Sequence, residues 1–465
     1  MPLSPAKHQD SRQSHFGHRA FANSDGAAVL VGKPASHHIV WKMKIRSAFK
    51  AMRIAFSSVV IAVLVSVNLR IYTENGTQIA PHAPIHVDVA SQLKFLRGAI
   101  EGGADIDMQR LFPEGRFFMN CLYGLANVEA GLREPAGSVT RDSFLKEAQW
   151  AMSRVDSAEN KAIFPTALRP RFGVFYAGWS AALHAGMLAL QQESARDPNQ
   201  TKALRARCDE LAAAFGSSST PYLQAYEGEA WTCDSAAAVF ALYACDHVLE
   251  PRYAPVIERW VAAVRERRDA STGLLGHRVG VENGALLDGP RATSMCIAIR
   301  FLAEAAPELG AELYSKYREQ MMTTCMGIPG VREYPKGVSG GGDVDSGPLI
   351  FGISMSASAV TIGTARIIGD SEAVARLVPA AEALAMPFTW NGRKRYIGGR
   401  LPVADAFIAW SQTARPWFAE TAVRPYPQFV PTWWRFPLHA VSVSVAVLLI
   451  HGLLRRKKAR AGSEN

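Results

Sequence analysis

Cysteine is scarce in this chain of 465 residues: there are six, Cys121, Cys208, Cys233, Cys245, Cys296 and Cys325. Their spacing is not that of a disulfide scaffold, and a chain of this length does not need one to fold. No Cys-x-x-Cys pair and no His-Glu-x-x-His motif occurs, and the histidines are scattered, so no structural zinc site is expected. Charge is also sparse where a nucleic-acid surface would need it. Of 51 basic residues, 15 lie within residues 1–53 and 435–465 together with only three acidic ones, which leaves 36 basic against 38 acidic residues between them. The net charge of +10 is therefore a property of the two ends and not of a polyanion-binding face, and no nucleic-acid partner is expected. The glycine-rich run Gly340–Gly341–Gly342–Asp343–Val344–Asp345 has neither the preceding strand nor the following lysine of a phosphate cradle. It also lacks the ligand spacing and terminal glutamate of a calcium loop. No metal or cofactor is implied.

What the chain does have is one long apolar run near each end. Met52 to Leu69 is preceded by Lys42, Lys44, Arg46, Lys50 and Arg53, and Phe436 to Leu454 is followed by Arg455, Arg456, Lys457, Lys458 and Arg460. Each run is long enough to cross a bilayer. The basic flanks place both termini in the cytoplasm, and two spans return a chain to its starting side, so the two assignments agree. A cleaved signal peptide is the competing explanation of the first run, but no small-x-small site closes it. The expected organisation is a basic, disordered segment 1–50, a transmembrane helix 51–70, an extracytoplasmic (periplasmic) domain 71–432, a second transmembrane helix 433–454 with Trp433 and Trp434 at interface depth, and a basic cytoplasmic tail 455–465. Oligomeric state is left open.

The central region repeats. Alanine-rich apolar stretches begin near Arg116, Val174, Thr232, Pro290, Gly347 and Pro402, at intervals of 58, 58, 58, 57 and 55 residues. More amphipathic, charged stretches lie between them, near 88–101, 141–155, 200–215, 253–268, 308–325 and 371–386. Helices rich in small residues all round suit an inner ring where backbones approach closely, and amphipathic helices suit an outer ring with one wet face. The fold expected is all-α, an (α/α)6 toroid of twelve alternating inner and outer helices. The outer-to-inner connections are the long ones, so all six emerge on one face, at the N-termini of the inner helices.

Those connections hold the polar and aromatic residues that chemistry would use: Glu114 and Arg116; Tyr176; Tyr226, Glu227, Glu229, Trp231, Cys233 and Asp234; Arg291; Asp343 and Asp345. For any single carboxylate the plainer explanation is a helix cap, above all for Asp234 beside Thr232. Six loops converging on one mouth favour a shared site, because acids, arginines and aromatics in one cleft allow carboxyl pKa values to be set apart. Glu227, Cys233, Asp234, Asp343 and Asp345 are the candidate catalytic residues. Tyr176, Trp179, Tyr226, Glu229, Trp231 and Arg291 are the candidates for shaping the pocket and binding substrate.

Two stretches, Glu227 to Leu275 and Val331 to Gly369, resemble the linalool dehydratase/isomerase family. The resemblance covers roughly half of the central domain. It implies an extracytoplasmic (α/α)6 barrel and cofactor-free addition and removal of water at an alcohol, carried out by a pair of cysteines with acid/base side chains. Cys233 stands where the family has its second cysteine, and Asp234 where it has Asn. The loop Gln224–Ala225–Tyr226–Glu227 has no counterpart of the first cysteine, and Trp179 stands in place of the family's histidine. The added acids suggest a second possibility, a glycan-processing hydrolase or lyase built on paired carboxylates. A third is a non-catalytic toroid that binds a glycan or a protein. The expected small-molecule partner is an alcohol or a sugar.

Overall fold

The computed structural model describes residues 35–73, 84–418 and 432–461, and the chain divides into two units, Met1–Ser58 and Val59–Asn465. Residues 1–34, expected to be disordered, lie outside the described residues. The segment 35–50, expected to be disordered as well, is helical. Helix α1 runs Ala35–Arg70, beginning directly after Pro34 and meeting no further proline or glycine until Gly76. An established apolar helix extends at low cost through such a sequence, because propagation avoids the cost of a new nucleus.

Outer and inner helices then alternate. In chain order they are α2 (Val87–Glu101), the short α3 (Ala104–Leu111), α4 (Gly115–Gly131), α5 (Val139–Val155), the single turn α6 (Ala158–Lys161), α7 (Gly173–Ala189), α8 (Pro198–Ser217), α9 (Thr232–Val248), α10 (Ala254–Arg265), α11 (Ala292–Ala305), α12 (Pro307–Met321), α13 (Met355–Ile368), α14 (Ser371–Leu384) and α15 (Pro402–Thr413). The last helix, α16, spans Arg435–Ala461.

The alanine-rich helices pack in sequence, α4 on α7, α7 on α9, α9 on α11, α11 on α13 and α13 on α15, and α15 returns to α4, so the contacts close. Small residues make this possible: a Cβ added at Gly178 of α7 would stand 2.9 Å from the Ala238 backbone nitrogen of α9. The outer helices bury one stripe each. In α10 it is Ile257, Trp260 and Val264, and in α8 it is Leu204, Cys208, Leu211 and Phe215. Two of them start at a side-chain cap: at α5 Ser138 accepts from the Arg141 amide, and at α14 Asp370 accepts from that of Ala373.

Inside the closed contacts sit aromatic rings from four inner helices. Trp179 lies 5.4 Å from Trp410 and 5.1 Å from Phe301, and Phe301 lies 5.1 Å from Phe240, ring centre to ring centre. The closure is fastened by a buried ion pair. Arg300 of α11 donates to both oxygens of Glu129 on α4, at 2.6 and 2.8 Å, and lies over the Trp410 ring of α15 at 3.5 Å. Thr413 of α15 adds a bond to the same carboxylate at 2.9 Å.

The expectation of an all-α domain needs correction in the connections. Three small antiparallel sheets occupy them: β1 (Ala230–Trp231) with β2 (Arg278–Val279) and β3 (Leu286–Asp288); β4 (Met322–Cys325), β5 (Ile328–Arg332), β6 (Leu349–Ile350) and β7 (Ile353–Ser354) in the order β4-β5-β7-β6; and the hairpin of β8 (Phe388–Trp390) with β9 (Arg393–Arg395). Two helix boundaries shift as a result. The outer helix expected over 308–325 ends at Met321, because Met322–Cys325 pair with Ile328–Val331. The inner helix expected from Gly347 begins at Met355, because Gly347, Pro348 and Gly352 interrupt it and Ser354 caps it by accepting from the Ala357 amide.

Two terminal helices are long and apolar enough to cross a membrane, over Lys44–Arg70 and Arg435–Leu454, and few of their residues are buried. Where they meet the domain, Asn68 donates to Ser442 at 2.7 Å, His439 bonds Asn68 at 2.5 Å, and Tyr72 bonds His439 at 2.8 Å. Trp433 is exposed as an interface residue would be, but Trp434 is buried, packed with Ile71 and Leu438 against Ala383.

Candidate acid/base site

The site is assembled at the N-terminal ends of α4, α9 and α11. One glycine fixes the approach. Gly173 has φ +79°, and a Cβ there would run into the Ala225 carbonyl oxygen, so the start of α7 lies directly against the loop that leads into β1. The Val174 amide donates to the Gln224 carbonyl at 2.8 Å across that seam. From the loop, Tyr226 donates to Glu114 at 2.5 Å, reaching the residue just before α4. β1 then delivers the chain to α9, whose third residue is Asp234.

Asp234 is not a helix cap: the N-cap position is Trp231, with no side-chain capping bond, and among the described residues the Asp234 carboxyl is hydrogen-bonded by the Cys233 thiol alone, at 3.8 Å. The carboxyl is buried. Desolvation, followed by the charges of Asp345 and Glu114, pushes it up to about 8, so it keeps its proton at neutral pH. Burial pushes the Cys233 thiol well up too, with Asp234 adding to the effect, so Cys233 is a neutral thiol and not the reactive thiolate that a position beside a helix N-terminus would otherwise favour.

The second acidic loop, between β5 and β6, is tied down by Arg291. Its guanidinium grips Asp343 with two bonds, 2.5 and 2.8 Å, and donates to the buried Glu333 at 2.8 Å. Desolvation raises the Asp343 carboxyl, but Arg291 and the Ser346 amide outweigh it and hold it far below its ordinary value. Asp343 is thus a permanent anion and an anchor. Asp345, two residues on, is exposed by surface area. Desolvation, then the charge of Asp343, with Glu114 contributing, pushes its carboxyl up to about 6.

Asp234 and Asp345 are therefore electrostatically linked, with the charge of Glu114 acting on both, and the two aspartate carboxyls lie on either side of neutrality. The guanidinium groups around them are already engaged: Arg291 as described, Arg116 with Asp105 at 3.6 Å, and Arg278 with Glu229 at 3.0 Å. Trp231 and Tyr226 meet edge to face at 6.2 Å on one side.

The other sequence candidates stand elsewhere. Glu227 is exposed at the tip of the turn closed by Tyr226 and Glu229. Glu229 is held by Arg278 on the sheet edge. Tyr176 and Trp179 were expected to shape the pocket, but both are buried in the ring. Tyr176 donates to Asp156 at 2.8 Å, and Trp179 lies among Phe118, Phe175, Phe301 and Trp410. One and two helical turns in from the N-terminus of α7, Tyr176 reaches the C-terminal end of α5 and Trp179 points among neighbouring inner helices.

Two residues carry no candidate role in the sequence, Glu333 and His277, and Glu114 stands there only among the polar residues of the connections. The buried His277 bonds Ser294 through Nδ1 at 2.5 Å, and its Nε2 stands 3.5 Å from Arg291. Burial and the Arg291 charge push it down to about 4, so the ring is neutral. It belongs to no motif, and only the pairing of β2 with β1 and β3 brings it to the site.

A 560 Å³ cavity lies elsewhere, outside α4 and between α2 and α5. No family model and no curated protein matches the chain. Among solved structures, an alpha-mannanase of family GH76 from Bacteroides thetaiotaomicron, solved as a selenomethionine derivative, is similar over 63% of this chain and 84% of its own. The identity is 10% and the TM-score 0.39.

Proposed function

We propose that the protein is a membrane-anchored (α/α)6 toroid whose mouth cleaves or forms a C–O bond in a neutral hydroxylated compound, an alcohol or a sugar, by paired-carboxyl acid/base catalysis. The observation that carries this reading is the divergence of Asp234 and Asp345. At neutral pH Asp234 is a protonated carboxyl that can donate to a leaving oxygen, and Asp345 is ionised and can accept a proton or activate water. Glu114, held by Tyr226, adds negative charge that stabilises a carbocation or oxocarbenium ion as it develops. Arg291, Arg116 and Arg278 are each paired with a carboxylate, which favours an uncharged substrate over a uronate or a phosphate.

Hydration or dehydration of an alcohol, as in the linalool dehydratase/isomerase family that the chain resembles, and glycoside cleavage both fit this chemistry. The two spans and their basic flanks support a topology with both termini cytoplasmic and the toroid in the periplasm.

The test uses the full chain purified in detergent. It is assayed against a panel of neutral aryl glycosides and a set of tertiary and allylic alcohols, alongside Asp234→Asn and Asp345→Asn. Turnover in one arm that both substitutions abolish supports the reading and assigns the substrate class. Turnover that survives both would overturn it.

A further inference from the structure

The exposed apolar side chains of the toroid are distributed unevenly between its two ends. Outer helices finish, and inner helices start, at the end that carries the acid/base site. Within residues 84–418, the exposed large hydrophobic side chains lie in the outer-to-inner connections at that end or on the last residue of α14. Val87 and Val139, which start outer helices at the opposite end, are the two exceptions. The most prominent are Phe351, in the turn between β6 and β7 and 74% exposed, and Trp390 of β8, 72% exposed, with Met326 in the turn between β4 and β5. Apolar tips gathered at one end of a domain mark a contact surface. Cross-strand from Trp390 stands the exposed Arg393, an aromatic and arginine pairing suited to the boundary between lipid headgroups and hydrocarbon.

The two apolar terminal helices join the domain at this same end. Ile71, directly after α1, packs with Trp434 and Leu438 against Ala383 near the end of α14, and Ile328 at the start of β5 packs against that cluster. Gly327 has φ +83°, and a Cβ there would stand 2.4 Å from the Trp434 carbonyl oxygen, so the β4–β5 turn is seated directly against the start of α16. Few residues of either span are buried, so the spans leave the domain at this junction and do not run back along its outer wall. Strand β5 leads from the junction to the site: Ile328 touches the anchor cluster, and Glu333, five residues on, holds Arg291 at 2.8 Å. At 3.3 Å per residue the separation is no more than about 17 Å, less than the thickness of one leaflet, about 20–22 Å.

We infer that the mouth end of the toroid rests on the bilayer that its two terminal helices cross, with Met326, Phe351 and Trp390 among the headgroups, and that its substrate is a neutral amphiphile dissolved in the adjoining leaflet, an alcohol or a glycoside on an apolar chain. The chain stays in lipid while the hydroxylated end enters the mouth. The placement rests on the reading of the two helices as spans, and the substrate class on the acid/base reading of Asp234 and Asp345.

Full-length protein in phosphatidylcholine nanodiscs tests the two parts separately. Cys325→Ser removes the one cysteine that is not buried, and Phe351→Cys, Trp390→Cys and Val139→Cys then take a nitrobenzoxadiazole label one at a time. Nitroxide lipids are expected to quench the labels at positions 351 and 390 strongly and the label at 139 hardly at all. Equal quenching at the three positions, or none at 351 and 390, would overturn the placement whatever the enzyme turns over. For the substrate, neutral glycosides and allylic alcohols with long and short chains are compared in the same nanodiscs. The long-chain members should be preferred by about tenfold or more in kcat/KM, the value of two buried methylene groups. Phe351→Asp combined with Trp390→Asp should remove that preference and leave the short-chain rate unchanged. No turnover of any long-chain member, turnover without a chain preference, or a preference that survives the double substitution would overturn the amphiphile assignment. If instead Asp234→Asn and Asp345→Asn leave turnover intact, the acid/base reading falls, while the labels still decide the placement.

Discussion

Replacing Asp234 by Asn should stabilise the protein while it stops the reaction. The unfolded carboxyl titrates near 3.8 and the folded one near 8. The native state therefore holds a proton that the unfolded chain gives up across this interval. The contribution of the group to stability is intact below pH 3.8 and is lost as pH rises through 8. At 1.36 kcal/mol per unit, the full interval sets a ceiling of about 5–6 kcal/mol. Part of the rise comes from Asp345 and Glu114, which relax as the charge on Asp234 changes, so about 2–3 kcal/mol is expected at pH 7. Asparagine has the same shape and no charge to desolvate.

Thermal unfolding of the full chain in detergent should show Asp234→Asn melting roughly 4–8 °C higher at pH 7–8. The gap should close on going down to pH 4. An Asn variant that melts at or below the wild type at pH 8, or whose difference does not depend on pH, would refute the claim that Asp234 is a desolvated, proton-holding carboxyl.

Other substitutions probe the frame of the site. Glu129→Ala leaves the buried Arg300 without its carboxylate and should cost about 3–5 kcal/mol in denaturant unfolding, because removing one partner strands the other charge. Gly173→Ala places a side chain at a left-handed backbone position against the Ala225 carbonyl. It should destabilise by more than about 1 kcal/mol and lower turnover by shifting the Tyr226 loop, which parallel melting and rate measurements would show. Arg291→Met removes the cation that lowers the Asp345 carboxyl, so the acid limb of the pH–rate profile should move to higher pH.

The repeat was legible because it rests on burial. Six stretches of small residues about 58 apart are six inner helices, and the amphipathic stretches between them are the outer ones. The strands were not legible, because β1, β2 and β3 are two or three residues long and exist through pairing across connections such as Trp231 with Arg278. Periodicity has no purchase on so short a segment. The acidic residues were found by their place in the loops, but loop membership does not say which way a side chain turns. Glu227 and Asp234 share one connection, yet one is exposed at a turn and the other is buried at a helix start. Tyr176 and Trp179 sit at the right phase of the repeat, and the aromatic packing of the ring interior claims them. His277 carried no signal, since its place at the site depends on contacts to Arg291 and Ser294, which lie 14 and 17 residues further along the chain.

The pairing of an acid with a base is tested most directly by the pH dependence of kcat/KM for the full chain on whichever neutral alcohol or glycoside it turns over. A bell centred near pH 7 is predicted, with an acid limb near 6 from Asp345 and an alkaline limb near 8 from Asp234. Asp345→Asn should remove the first limb and Asp234→Asn the second, each with a loss of about 10²–10⁴ in rate. A profile that is flat from pH 5 to 9, or limbs that persist unchanged in both variants, would contradict the account.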